Sequence, residues 1–337
     1  LYAKYFKDVE LAVTIISRQI KKTLRLLTLA LFTGGTLLAT TFVANGGFIT
    51  PQGKDDVKIN LFYNQYTGRY DGAGNYSVFA AGETRLDYTV FFDLKYGTSP
   101  DSDVQITLPY INKSHTLPSG AVFTANGIGD LTFIGRKKSG ENKNTDAMLT
   151  VGAGVKIPTG KSFFNIDKSS LATGTGTWDV GVVMNMQENN NGVFLFTDVS
   201  YWYRFGFNIQ KFAGWDISAV KAGETEVKFS PGGIIRYNVG IEMPIIRQIS
   251  ILGELNGEVY YESKAAYLSN DTDAVNDLLS KGYPDFTLER TVNIRAIAGV
   301  KFYLGEKVAL GGGVSIPVNI INSFGNITYI AHCRLFF

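Results

Sequence analysis

The stretch Asn326-Ile-Thr-Tyr-Ile-Ala-His-Cys-Arg-Leu-Phe-Phe337 ends the chain on a two-residue alternation. Phe337, Leu335, Cys333, Ala331, Tyr329 and Ile327 fall on one side. Arg334, His332, Thr328 and Asn326 fall on the other, with Ile330 and Phe336 as apolar exceptions. This is the pattern of a strand with one apolar face. Final residues usually fray, so a terminal segment this strand-like and aromatic predicts a fixed structural task. In an outer-membrane barrel the last strand closes the sheet on the first, and a terminal aromatic sits in the interfacial girdle.

The same alternation recurs upstream. Val57, Ile59, Leu61 and Tyr63 alternate with Lys58, Asn60, Phe62 and Asn64, and Leu86, Tyr88, Val90, Phe92, Leu94 and Tyr96 alternate with Arg85, Asp87, Thr89, Phe91, Asp93 and Lys95. Counting such segments to the end of the chain predicts about twelve strands, an even number as in bacterial single-chain barrels. The expected fourth strand is Gly127 to Lys138, and the eighth is Val227 to Glu242 with a bulge at Pro231-Gly-Gly233. A short helix is expected at Asp273 to Lys281 within the longest link. Long links follow the odd strands and short turns the even ones, so a periplasmic N-terminus places both termini in the periplasm and the long loops outside the cell.

Composition agrees with a membrane-spanning all-β protein. The 337 residues hold 37 glycines, 13% aromatic and 18% charged residues, with a mean hydropathy of +0.03. After the first fifty residues no apolar run approaches the roughly 20 residues of a spanning helix. The net charge of +2 marks no nucleic-acid partner, and the single cysteine, Cys333, excludes an intrachain disulfide framework and a multi-cysteine metal site. Lys21, Lys22 and Arg25 precede the apolar run Leu26 to Ala44, and Ala44-Asn-Gly46 offers small residues before Gly47. Residues 1–46 therefore read as a leader and secretory signal, and 47–337 as the barrel.

In the chain's glycine-rich segments, Gly127-Ile-Gly-Asp-Leu-Thr132, Gly152-Ala-Gly-Val-Lys-Ile-Pro-Thr-Gly-Lys161 and Thr173-Gly-Thr-Gly-Thr-Trp-Asp179 resemble the family of outer-membrane proteins linked to the meta-pathway of phenol degradation. Phe48-Ile-Thr-Pro-Gln-Gly53, Tyr96-Gly97 and Leu108-Pro-Tyr110 resemble that family's early segments. The resemblance implies an outer-membrane barrel with a transport role, and it carries no catalytic residue. Gly154 to Ser162 has the wrong spacing for a phosphate loop, with Pro158 inside it, so no cofactor is expected.

The face opposite the lipid-facing side carries Arg85, Asp87, Asp93, Lys95, Asp103, Lys156, Asp179, Asp198, Arg204, Lys228, Arg236, Glu254, Glu258, Arg295, Lys301, His332 and Arg334. These are the candidate lumen-lining residues, able to set polar selectivity or to pair into a brace. Phe62, Phe91, Phe194, Phe196 and Trp202 add aromatic surface suited to weakly polar or aromatic permeants. The expected partners are outer-membrane lipid, the barrel-assembly machinery through the C-terminal strand, and a small-molecule permeant. Two other classes stay open. A lipid-modifying hydrolase would need His332 or His115 beside a serine such as Ser200 or Ser250; a structural or adhesive barrel would use loop aromatics such as Tyr76, Phe79, Phe163, Phe164 and Tyr267.

Overall fold

A computed structural model describes residue 42 and residues 48–142, 146–162, 170–208, 211–212, 215–216, 226–268 and 286–337. Twelve long strands form the barrel: β1 (Asp55–Tyr70), β2 (Thr84–Ser99), β3 (Ser102–Thr116), β4 (Leu131–Asn142), β5 (Ala147–Ile157), β6 (Asp179–Asn190), β7 (Val193–Arg204), β8 (Ile234–Ile246), β9 (Ile249–Tyr260), β10 (Thr291–Leu304), β11 (Val308–Ile321) and β12 (Ser323–Phe336). Each pairs antiparallel with its neighbours, and β1 pairs with both β2 and β12. The register sets Ile59 against Cys333, Asn60 against His332 and Tyr63 against Tyr329, so the terminal strand closes the sheet on Val57 to Tyr63 as its alternation predicted. No barrel strand is left with an open edge, which hydrocarbon requires because it offers no water to an unpaired amide.

Strand lengths follow from that environment. The shortest barrel strand, β5, has 11 residues, enough to cross a bilayer, while β1 and β2 have 16 and extend beyond it. Val182, Tyr201 and Tyr329 face outward and are exposed. Trp178, Tyr203, Phe205 and Tyr261 ring the long-loop end, and Tyr96, Phe302 and Phe337 ring the end where β1 begins and β12 finishes, giving two aromatic girdles. Tyr63 packs between Tyr88 and Tyr329 at 4.9 and 6.0 Å, so an aromatic cross-strand row spans the closure seam. Between β6 and β7, Asn191 and Gly192 adopt φ of 52° and 87°, the left-handed pair a two-residue hairpin needs to match strand twist.

Three boundaries differ from the sequence reading. Val122–Ile128 is a separate short strand on the upper half of β3, and β4 begins only at Leu131. The break falls at Gly129-Asp130 because Asp130 turns inward and accepts from the backbone N–H of Thr175 (2.8 Å) and Gly160 (3.2 Å). The proline and glycines at 231–233 divide the expected eighth strand. Glu226–Ser230 pairs with Ser263–Leu268 in a loop sheet, and the barrel strand starts at Ile234. Pro231 has no N–H for the ladder, and a side chain at Gly233 would meet Tyr201 at 2.8 Å. Finally, the last odd link is tight: Asn322, at φ 52°, alone joins β11 to β12. The expected helix at Asp273 to Lys281 lies outside the described residues.

Met184 is 45% exposed near the middle of β6, opposite Val151 and Val199. Met184→Arg puts a charge in mid-bilayer and should cost ~2–4 kcal/mol. Urea titration in lipid vesicles should read a loss of that size; an unchanged midpoint would mean that this face does not meet hydrocarbon.

Candidate functional site: the barrel interior

The inner face is the polar half of the alternation, and the structure places the anticipated side chains along it at several levels. At the base, Arg136 on β4 grips Asp103 on β3 through Nε and Nη2 at 2.9 and 2.7 Å, both side chains almost wholly buried. Asp103 also accepts from the Thr50 N–H at 2.9 Å, and Arg136 donates to the Phe48 carbonyl at 3.2 Å, so the segment preceding β1 is tied inside the barrel. Arg334 holds Asp56 in a second two-point contact at 2.6 and 2.8 Å across the closure seam. Lys95 is buried and faces Asp56 in register.

Higher up, Lys156 lies between Asp130 at 3.1 Å and Asp179 at 2.8 Å, with Arg204 at 3.9 Å from Asp179. Lys156, Asp130 and the hydroxyl of Thr175 join in one hydrogen-bonded knot that folds the loop around 172–177 back into the barrel mouth. Arg236 pairs with Glu258 at 2.8 Å. Arg85 pairs with Asp87 at 3.3 Å and lies over the rings of Phe324 and Tyr66 at 4.1 and 4.7 Å. Arg295 has a different shell: its guanidinium is held by Ser315, Asn326 and Thr328 oxygens at 2.6 to 3.0 Å, with no carboxylate among them. Asp198 accepts from Asn185 Nδ2 at 2.8 Å.

A cavity of about 530 Å³ lies among these groups. Of the anticipated residues, Asp93, Lys156, Asp198, Arg236 and Glu258 border it, together with Phe62, Phe91 and Trp202. Lys228 is displaced from its expected position: it sits exposed in the loop sheet because Pro231 ends the barrel strand before it.

Sequence reasoning placed Phe62, Phe196 and Trp202 on this face but missed the aliphatic side chains packed with them. Ile134, Val183, Trp202 and Ile234 form one buried apolar cluster, and Phe42, Phe196, Leu252, Ile297 and Ile330 another, with Phe62 packed on it. All the wall residues among them share parity with the charged positions. Glycines make room for the rings: a Cβ at Gly181 would meet Trp202 at 2.5 Å, one at Gly154 would meet it at 2.8 Å, and one at Gly240 would run into Phe196. Inward aromatic side chains therefore lie flat on glycines of adjacent strands. Charged wall partners were missed too: Asp56, Arg136 and Glu242 were findable, because each keeps inner-face parity with a neighbour already singled out.

Phe42 comes from the segment expected to be leader, yet its side chain is wholly buried in the lumen. Its N–H donates to Glu254 Oε1 at 2.6 Å, and its carbonyl accepts from Asn60 Nδ2 at 3.0 Å. Lys301, which pairs with Glu242 at 3.3 Å, lies 5.1 Å from the ring centroid, and His332 meets the ring edge-on at 5.6 Å. Glu242 also accepts from the Tyr303 hydroxyl.

Among the described residues no hydrogen bond joins either histidine to a serine. His332 Nδ1 contacts Asn60 Oδ1 at 2.7 Å and His115 Nε2 contacts Glu83 at 3.1 Å, while Ser200 accepts from the Trp202 indole at 3.2 Å. Among the described residues no group of three or more His, Cys, Asp or Glu side chains is placed to hold a metal ion.

No protein-family model and no curated protein matches the chain. Among solved structures, an outer-membrane channel from Pseudomonas putida F1 matches with a TM-score of 0.66 at 13% identity, covering 87% of this chain and 99% of that one. The two chains share one fold. The transport unit of the autotransporter AIDA-I from Escherichia coli matches more loosely, with a TM-score of 0.44 at 11% identity, covering 92% of this chain and 95% of that one. The shared fold and the girdled apolar exterior place the protein in the outer membrane. The link to phenol degradation raised by the glycine-rich motifs has no counterpart in these matches.

Asp103→Ala leaves Arg136 charged and buried without its carboxylate, and should destabilise the barrel by ~3–5 kcal/mol. The double variant Asp103→Leu/Arg136→Met, which removes both charges, should recover most of that loss in the same vesicle unfolding titration. Equal losses in the two variants would show that packing, not charge pairing, governs this position.

Proposed function

We propose that the protein is an outer-membrane channel for small, weakly polar molecules, aromatic compounds included. The observation that carries this reading is the 530 Å³ cavity inside the barrel wall, bordered at once by Phe62, Phe91 and Trp202 and by Lys58, Asp93 and Arg236. A purely bracing network would fill that space, whereas a path for an amphipathic solute needs apolar surface beside a few placed charges. The paired charges along the wall then steer the polar end of the solute, and the ring faces carry its apolar end. The glycine-rich motifs support a place beside aromatic degradation.

The remaining assignments belong to the same reading. Residues 1–46 act as leader and signal, removed before Gly47, and both termini of the barrel chain lie in the periplasm, where β12 is presented to the assembly machinery. Processing at that position takes Phe42 out of the lumen.

Liposome swelling with folded protein should give faster entry for benzyl alcohol and small hydroxylated aromatics than for disaccharides. A correctly folded barrel that passes neither these solutes nor ions in planar bilayers would defeat the channel reading in favour of a structural role. N-terminal sequencing of exported protein should begin at Gly47; a chain that retains Leu26 to Ala44 would overturn the leader assignment.

A further inference from the structure

Elsewhere in the wall, an inward aromatic ring lies on glycines of the neighbouring strands: Trp202 on Gly181 and Gly154, Phe196 on Gly240. The widest glycine cradle, formed by Gly299 on β10 with Gly311 and Gly313 on β11, is filled by Phe42 from outside the wall. A Cβ at Gly311 would meet the Phe42 ring at 2.9 Å, and one at Gly313 at 2.7 Å. The cradle is ringed by polar groups that Phe42 engages through its backbone. Glu254 accepts its N–H and Asn60 donates to its carbonyl.

Among the described residues, one of the buried polar atoms without a partner belongs to His332, which meets the Phe42 ring edge-on. His332 is 3% exposed, and its Nε2 is buried with no hydrogen-bond partner. Asn60 Nδ2 faces a carbonyl, so Asn60 Oδ1 faces His332 Nδ1, which must supply the hydrogen in their 2.7 Å contact. In the neutral ring Nε2 then carries the lone pair. A buried acceptor without a donor is costly, and a ring that brought a donor to it would be favoured over a phenyl ring.

We infer that this cradle is a receptor for an aryl-alkyl amine, a ring on the glycine floor with its N–H or ammonium group on Glu254 and, in the best ligand, a ring hydroxyl donating to His332 Nε2. Phe42 reproduces the ring and the N–H but not the hydroxyl. The carboxylate of Glu254 favours a cation over a neutral donor at that end, and Lys301 caps the ring with a charge 5.1 Å from the centroid. The inference deepens the channel reading, since the cradle lies within the lumen proposed as the path.

The test is titration calorimetry on the full chain folded in detergent, with tyramine, phenethylamine and 2-cyclohexylethylamine as probes. Phe42→Ala removes the competing ring, while the backbone of residue 42 keeps its contacts, and should tighten tyramine binding by about tenfold or more. In that background tyramine should bind more tightly than phenethylamine, and phenethylamine about tenfold more tightly than the cyclohexyl amine. Adding Gly311→Ala, whose Cβ has the Lys301 stem and the Val300 carbonyl at 3.0 and 3.1 Å, should weaken all aromatic binding. Glu254→Gln, which keeps the wall geometry, should weaken the amines about tenfold and leave 4-ethylphenol unaffected. Equal tyramine affinity with and without Phe42, or no preference for the aromatic ring, would overturn the receptor. Ion conductance of the same preparations separates the two readings. Conductance without tyramine binding sinks the receptor and leaves the channel; tyramine binding without conductance does the reverse.

Discussion

Within a bilayer a backbone N–H or C=O has no water to turn to, so each must be paired by the sheet itself. The seam between β1 and β12 is therefore the contact on which the rest of the barrel depends. Its residues are chosen for both faces at once. Outward, Tyr63 stacks between Tyr88 and Tyr329; inward, Asn60 contacts His332 and Arg334 clasps Asp56. A slip of one residue would carry Arg334 and His332 into lipid and Leu335 and Cys333 into the lumen, so the alternation fixes the register as well as the closure.

Closure then sets the problem that the interior solves. Twelve strands enclose more space than wall side chains alone fill, and leaving it to water would solvate the ion pairs and weaken them. The chain answers with inward charges that meet across strands, such as Arg136 with Asp103 and Lys156 between Asp130 and Asp179, and with rings laid on glycines. The two devices are complementary. Ion pairs resist strand-to-strand displacement because separating one strands a charge, while the glycine cradles let large rings lie flat against the wall and leave a cavity rather than a plug.

Much of this was legible from a period of two, because lipid on one side and a polar interior on the other leave little freedom in the pattern. All twelve strands and the closing pair followed from it. What failed did so where the local pattern was ambiguous. Gly129 and Asp130 look like strand residues until the loop that Asp130 holds is known, and Pro231-Gly-Gly233 reads equally as a bulge or a stop. The ion-pair partners were half visible: Lys156 and Asp179 stood out, but the added contact of Lys156 with Asp130 depends on a loop folding inward, which no periodicity records. Ile134, Val183, Leu252 and Ile297 were missed because the apolar part of the inner face was read from its aromatic residues alone. Ile330, already noticed as an exception in the last strand, was a sign that aliphatic side chains turn inward as well.

For the proposed channel, the exceptions bear on selectivity through the way the interior combines them. A wall of paired charges presents little net field to a solute, so charge alone would discriminate weakly among small molecules. Apolar patches set between the pairs change that: in the proposed channel a solute would bury a ring against Phe62, Phe91 or Trp202 while its polar end stayed within reach of Asp93 or Arg236, all of which border the cavity. A sugar satisfies only the second requirement and a simple hydrocarbon only the first. On the proposed function, selection for molecules with both ends would fall to residues whose first duty, pairing and packing, is to keep a closed sheet from collapsing.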